Sequence, residues 1–250
     1  MHFTYIDTGS INPALHCALD EVLTRSLAKG QRGPTFRFWE WETPCVVFGS
    51  SQSVSNEINV EQAKEHGIQL VRRISGGGAM FMEPGTCVTW SMVVPTDMVK
   101  QYSFKESYKV LNQWYVDGLN AIGIQAGFAG INDIVSPNGK IAGSAQKRIG
   151  KGVLHHVTSA YSINQDSMFK VLRIGMPSVA ERGLRSAKKP VDPMVNQTER
   201  SRSEVIAALK DEFAKYYELE DGELTPEELA QAQELVETKF SNPEWVFRLP

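Results

Sequence analysis

The stretch Val71-Arg72-Arg73-Ile74-Ser75-Gly76-Gly77-Gly78-Ala79-Met80-Phe81 sets two arginines directly before three consecutive glycines, within strand-like apolar sequence. Glycines lack a Cβ, so a backbone built from them can approach a ligand closely and can take up positive φ. Successive N–H groups in such a turn converge on an anion, and two guanidinium groups add positive charge beside it. The pattern reads as an anion-binding loop; the plain alternative is a glycine-rich hairpin with a solvated arginine. It matches neither common phosphate fingerprint. A Walker loop closes in Gly-Lys-Ser/Thr, whereas Gly78 is followed by Ala79 and Met80. A dinucleotide fingerprint opens a helix, whereas the run to Phe81 stays strand-like. A phosphate-bearing ligand at this loop therefore implies some other fold.

The rest of the 250-residue chain is long enough for one sizeable core. Its apolar and charged fractions, 42% and 22%, are those of an ordinary globular protein. A net charge of −3 and a pI near 6.0 argue against nucleic acid or an anionic membrane as partner. Met1 to Asp7 lacks the basic start and long apolar run of a signal peptide. No segment reaches the length of a membrane span, and a cytoplasmic protein is expected. Cys17, Cys45 and Cys87 are odd in number and far apart, which argues for free thiols over a disulfide framework or a structural zinc site.

Local signals divide the chain into mixed strands and helices. Asn12-Pro13 reads as an N-cap with proline at the first helical position, followed by Leu15, Ala18, Leu19, Val22 and Leu23 at helical spacing until Gly30. Strands are expected at Thr35 to Trp41, Cys45 to Phe48, Ile68 to Ile74, Thr86 to Val94, Lys140 to Ile149 and Gly152 to Tyr161. A short helix over Val60 to His66 and a long one from Phe104, closed by Gly123, lie between them. Glu181 to Gln197 reads as a mobile loop, and 201–250 as a helical tail with a second N-cap at Thr225-Pro226. This mixture predicts an α/β (α+β) class with one continuous core.

A second constellation is Asn132-Asp133, then the turn Pro137-Asn138-Gly139, then Lys140-Ile141-Ala142-Gly143-Ser144-Ala145-Gln146. Small residues at Ala142 and Ser144 predict a strand face with room for a ligand, into which Lys140 projects one strong donor. The alternative for a lone lysine is a solvated hairpin position.

With both constellations in view the chain resembles a family. Arg72 to Ala79, Asn132-Asp133, Lys140 to Gln146 and His155-His156 resemble, in order and spacing, the lipoate–protein ligases of the biotin/lipoate ligase superfamily. Arg37-Phe38-Trp39, Val46 to Gln52 and Asn242-Pro243-Glu244-Trp245 extend the likeness over nearly the whole chain. The resemblance implies a class II biotin/lipoyl ligase-like fold, a mixed β-sheet core flanked by helices. It implies that lipoate and ATP form lipoyl-AMP, which a lysine of a carrier then attacks. Arg72, Arg73, Ser75, Gly76, Gly77, Gly78, Ala79, Met80 and Phe81 would contact the nucleotide and acyl group, joined by Asn132, Asp133, Gly143, Ser144, Ala145 and His156. Lys140 would stabilise charge growing on the reacting oxygens. Magnesium would accompany ATP, with Asp133 aiding it. The acceptor would be the lipoyl domain of a dehydrogenase E2 subunit, a glycine-cleavage H protein or a similar carrier.

The chain departs from the family pattern in two places. Met82-Glu83 stands where the ligases carry His-Asp, and the chain stops at Pro250, where many relatives continue into a small C-terminal domain. Residues 1–250 are thus expected to be the large catalytic domain alone, served by a separate small accessory subunit. The rival within the superfamily is an octanoyl or lipoyl transferase working through a cysteine thioester. No cysteine lies in Ala126 to Asp133 or after Lys140, which leaves Cys87 as the thiol nearest the glycine loop. A non-catalytic lipoyl- or adenylate-binding module is the remaining alternative.

Overall fold

Alternation by two along the strand Thr35–Trp41 sorts its side chains between two layers. Phe36 and Phe38 join a core beneath two helices, while Trp39 and Trp41 enter a core on the opposite face. The computed structural model describes residues 1–173 and 190–249. In chain order it runs β1 (His2–Ile11), α1 (Pro13–Ala28), β2 (Thr35–Trp41), β3 (Cys45–Phe48), α2 (Val54–Glu57) and α3 (Val60–Glu65). Next come β4 (Gln69–Arg72), β5 (Met80–Met82), β6 (Cys87–Pro95), α4 (Phe104–Ala121), β7 (Gly127–Ala129) and β8 (Asp133–Ser136). The remainder is β9 (Gly139–Ile149), β10 (Gly152–Ala160), α5 (Gln165–Val171), α6 (Arg202–Tyr216), β11 (Glu218–Asp221), α7 (Pro226–Leu235) and α8 (Pro243–Val246).

Eight strands form one mixed sheet in the order β11-β1-β2-β6-β10-β9-β8-β7, and β4-β3-β5 form a second, smaller sheet. The expected α/β architecture, a mixed sheet flanked by helices, is the one the chain adopts. α4 and α6 cover one face, where Trp90, Trp114, Phe36 and Phe213 pack together, Phe36 and Phe213 stacked with centroids 3.9 Å apart. Each such aromatic pair adds about 0.5–1.5 kcal/mol beyond its buried area. α4 starts at a capping box, Ser103 with Glu106, which satisfies two of the free N–H groups at its N-terminus. α1 covers the other face through Leu19, Val22 and Leu23, and starts where Asn12 accepts from the Ala14 N–H with Pro13 at the first position.

Two sequence expectations shift. The tail read as helical also carries β11, whose residues pair in parallel with β1 from His2 to Tyr5. Of the segment read as a mobile loop, 181–189 lie outside the described residues, and 190–192 are held against β9: Lys140 N–H donates to Pro190 O at 2.7 Å and Asp192 N–H to Lys140 O at 3.0 Å. Among the described residues no helix is long and apolar enough to cross a membrane.

Candidate active site

The face of the large sheet turned toward α1 leaves a cavity of about 780 Å³ between β2, β6, β10, β9 and the small sheet. Strand register puts Trp39, Thr89, Thr158 and Gly143 in one row across its floor. Three strand spacings make that row about 14 Å long. Its β2 end is apolar, walled by Trp39, Trp41, Cys17, Cys87 and Met82. Trp41 is fixed there because its indole N–H donates to Thr89 Oγ1 at 3.0 Å. At the β9 end stand Asn132, Asp133 and Lys140. Burial of long apolar matter at one end and a cation at the other suits an acyl group with a reactive carbonyl head.

Lys140 reaches the cavity through a strand irregularity. Strict alternation would place it with Ala142 and Ser144, facing α4. In the β8–β9 ladder, however, Ile134 pairs with Ala142 while the next residue, Val135, pairs with Lys140, so Ile141 is an extra residue. The ammonium consequently passes over Gly143, with Nζ 2.8 Å from the point a Cβ would occupy there. Asp133 Oδ1 holds it at 2.9 Å. The polar side chains of this run are held from α4: Ser144 Oγ accepts from Asn112 and Gln146 Oε1 from Ser107. Gly143 and Ala145 line the cavity beside them, and Ala142 and Ser144 also reach its lining.

The glycine loop roofs the site, and its arginines act differently from expectation. Arg72 is fully buried behind the loop, where its guanidinium donates to the carbonyls of Gln52, Trp245 and Val246. It anchors the C-terminal segment and does not line the cavity. Arg73 does line it, but donates to the carbonyls of Val47, Gly76 and Gly78 and to Ser75 Oγ. Its charge organises the loop from within. Gly77, at φ 89°, takes the left-handed conformation that the turn needs. Gly77, Gly78, Ala79, Met80 and Phe81 face the cavity, whereas Ser75 and Gly76 stand behind them.

His156 joins the loop to α1. Its Nδ1 lies 2.8 Å from Asp20 Oδ2 and its Nε2 2.7 Å from Ser75 Oγ. The order Ser–His–Asp has the look of a nucleophilic triad, but Ser75 is fully buried and its oxygen already accepts from Arg73. The arrangement is a scaffold for the loop. Burial pushes the Asp20 carboxyl up, yet His156, Arg37 and Ser91 together hold it below the usual range. Asp20 is absent from the sequence reading; an acid flanked by Leu19 and Val22 on a helix is the signal that was available.

Two other histidines are buried and neutral. Burial, with Arg37 adding to it, pulls His16 down to about 3, and burial beside His156 pulls His155 down to about 3. Both titrate near 6.5 when unfolded, so between pH 6.5 and 3 the unfolded chain binds more protons than the folded one. Stability therefore falls as pH falls through that window, by about 1.4 kcal/mol per pH unit for each histidine. Asp20 adds to the loss only below about pH 4. Urea melts from neutral pH to pH 4.5 should show this slope, and His155→Gln should remove one histidine's share; an unchanged slope contradicts the assignment.

None of the three thiols is activated. Burial pushes Cys17 up to about 12 and Cys87 up to about 11, and lifts Cys45 well above the normal thiol range. Met82 is buried and extends the apolar wall, and burial raises the carboxyl of the neighbouring Glu83. Among the described residues no group of three or more His, Cys, Asp or Glu side chains is placed to hold a metal, and Asp133, the expected aid to magnesium, is paired with Lys140.

Residues 12–214 match the lipoyl protein ligase A/B catalytic domain. The chain belongs to this family. Within the lipoyl protein ligase A/B family, the octanoyltransferase LipM of Geobacillus kaustophilus is 31% identical over 98% of the chain and 97% of its own length. That of Staphylococcus aureus is 27% identical over 98% of each. Among solved structures, a lipoate-protein ligase A bound with ATP superposes with a TM-score of 0.84 at 25% identity over the full length of both chains. The bi-partite lipoate protein ligase of Thermoplasma acidophilum shares the fold, with a TM-score of 0.84 at 24% identity over 100% of this chain and 98% of that one. The expectation of ATP-dependent ligation through lipoyl-AMP is overturned by the full-length relatives, which are octanoyltransferases. The fold and the catalytic-domain family stand.

Proposed function

We propose that this chain is an acyltransferase that moves an octanoyl group from a thioester donor to a lysine of a lipoyl domain. The observation that carries the reading is the Lys140 ammonium, set by Asp133 at one end of a cavity whose other end is walled by Trp39, Trp41 and Met82. Full-length likeness to octanoyltransferases supports it. A free carboxylic acid must be activated before an amine can attack it, whereas a thioester arrives activated and needs no nucleotide. Each methylene laid along Trp39, Trp41 and Met82 adds about 0.8 kcal/mol of affinity. The acceptor amine forms the new C–N bond, the C–S bond breaks, and the amine's proton passes to the departing thiolate. Lys140 stabilises the oxyanion that forms between these events. Gly77, Gly78, Ala79, Met80, Phe81, Asn132, Gly143, Ala145 and His156 shape or support the site around that carbonyl. Lipoyl domains of an E2 subunit or an H protein are the acceptors to try first.

A cysteine relay needs a thiol with a lowered pKa or an adjacent base. Cys17 and Cys87 sit in the apolar end with raised values. We therefore place both thiols against the alkyl tail and have the amine attack the donor directly. The test mixes the protein with an octanoyl thioester and a lipoyl domain, with and without ATP. Octanoylation without ATP is expected, and an absolute ATP requirement overturns the reading. Cys17→Ser and Cys87→Ser should keep most of the rate. A hydroxylamine-sensitive octanoyl adduct on either cysteine would refute direct transfer and leave the transferase in place.

A further inference from the structure

A second concavity, of about 340 Å³, lies behind the glycine loop where β9 ends, between α1 and the C-terminal segment. Its walls carry Arg25, Lys147, Arg148, Lys239 and Arg248 around the ring of Trp245. Lys239 Nζ lies 4.4 Å and the Arg248 guanidinium 4.0 Å from the centroid of that ring, so the indole aligns two of the cations. The single acid in the wall, Glu21, is buried and bonded to both Arg25 and Lys239 at 2.6 Å. It cannot balance five cations. This basic groove stands on a chain whose net charge is −3, so the local sign opposes that of the whole.

We infer that this groove docks the acidic face of the acceptor domain; the inference rests on the transferase reading. Lys147 follows Gly143 on β9 by four residues, about 13 Å at the strand rise. An interface of ordinary size covers about 800 Å² per partner, a patch about 30 Å across. A domain seated on the groove thus extends over the loop toward Lys140. An acidic partner is repelled by the rest of the surface and attracted here, and that contrast orients it. Nucleic acid is the weaker candidate because the surrounding charge is negative.

The experiment uses the whole chain and an isolated E2 lipoyl domain with an acidic face. Binding and octanoyl transfer are measured separately at low and high salt. The variant is Lys147→Glu/Arg148→Glu, two exposed positions outside the reaction cavity, with Lys147→Arg/Arg148→Lys as the charge-preserving control. Binding by the unaltered chain should weaken with salt. The glutamate variant should bind at least tenfold more weakly and raise KM for the domain at unchanged kcat, while the control behaves normally. Its transfer to a small amine should not change. Equal binding by the glutamate variant, salt-independent binding, or preference for RNA or inorganic phosphate over the domain overturns the inference. Groove-dependent binding without any transfer would instead remove the proposed function and leave the docking surface.

Discussion

Lys140→Ala is expected to lower kcat for octanoyl transfer by a hundredfold or more, with little change in KM for the thioester. Loss of a preorganised cation at a developing oxyanion costs about two to three powers of ten. The apolar slot, which supplies most of the ground-state affinity, lies at the other end of the row and is untouched. The variant also takes the ammonium away from Asp133, whose side chain is only 5% exposed, and so loses some stability. Lys140→Ala combined with Asp133→Asn removes both charges. Melting should then return toward the unaltered value while the rate stays low. That split separates a role in the reaction from a role in folding, and near-normal kcat in either variant would remove Lys140 from the mechanism.

Features set by neighbours in sequence are legible in the sequence alone. β2 and β3 begin and end where alternation placed them, and Asn12-Pro13 opens α1 as capping chemistry requires. That Lys140 lines a cavity is legible from its small neighbours, although the route by which it enters is not. A one-residue irregularity decides that route, and it arises from pairing with β8, which no local pattern of β9 contains. Arg72 and Arg73 show the same limit. Two arginines beside three glycines look like two hands for one anion, yet the carbonyls they serve come from Val47, Gln52 and Trp245, distant in sequence. Asp20 escaped notice because its partner His156 is 136 residues away. The mode of acyl activation is not legible in these motifs for a related reason. A glycine loop, a cation and an apolar slot serve any activated acyl group, so these motifs carry the cradle and not the way the carbonyl is primed.

Gly143→Ala should reproduce most of the Lys140→Ala defect while adding a single methyl and changing no charge. Gly143 lies within the β9–β10 ladder, opposite Thr158, where alanine fits the backbone without strain. The new Cβ would stand 2.8 Å from Lys140 Nζ and 3.2 Å from its Cε, closer than such atoms tolerate. Lysine has free torsions and Asp133 lies on the neighbouring strand, so the side chain yields and the strand does not. Its ammonium leaves the position from which it would meet the carbonyl oxygen, and displacement by about 1 Å costs on the order of a hundredfold. Thermal stability should hold, because Asp133 and Lys140 can still pair in the shifted geometry. The measurement is kcat beside the melting temperature, with Ala145→Gly as a reverse control on the same face. Full activity in Gly143→Ala would mean that Lys140 works from some other place than over Gly143, and the route of the acyl group across the Trp39–Gly143 row would have to be redrawn.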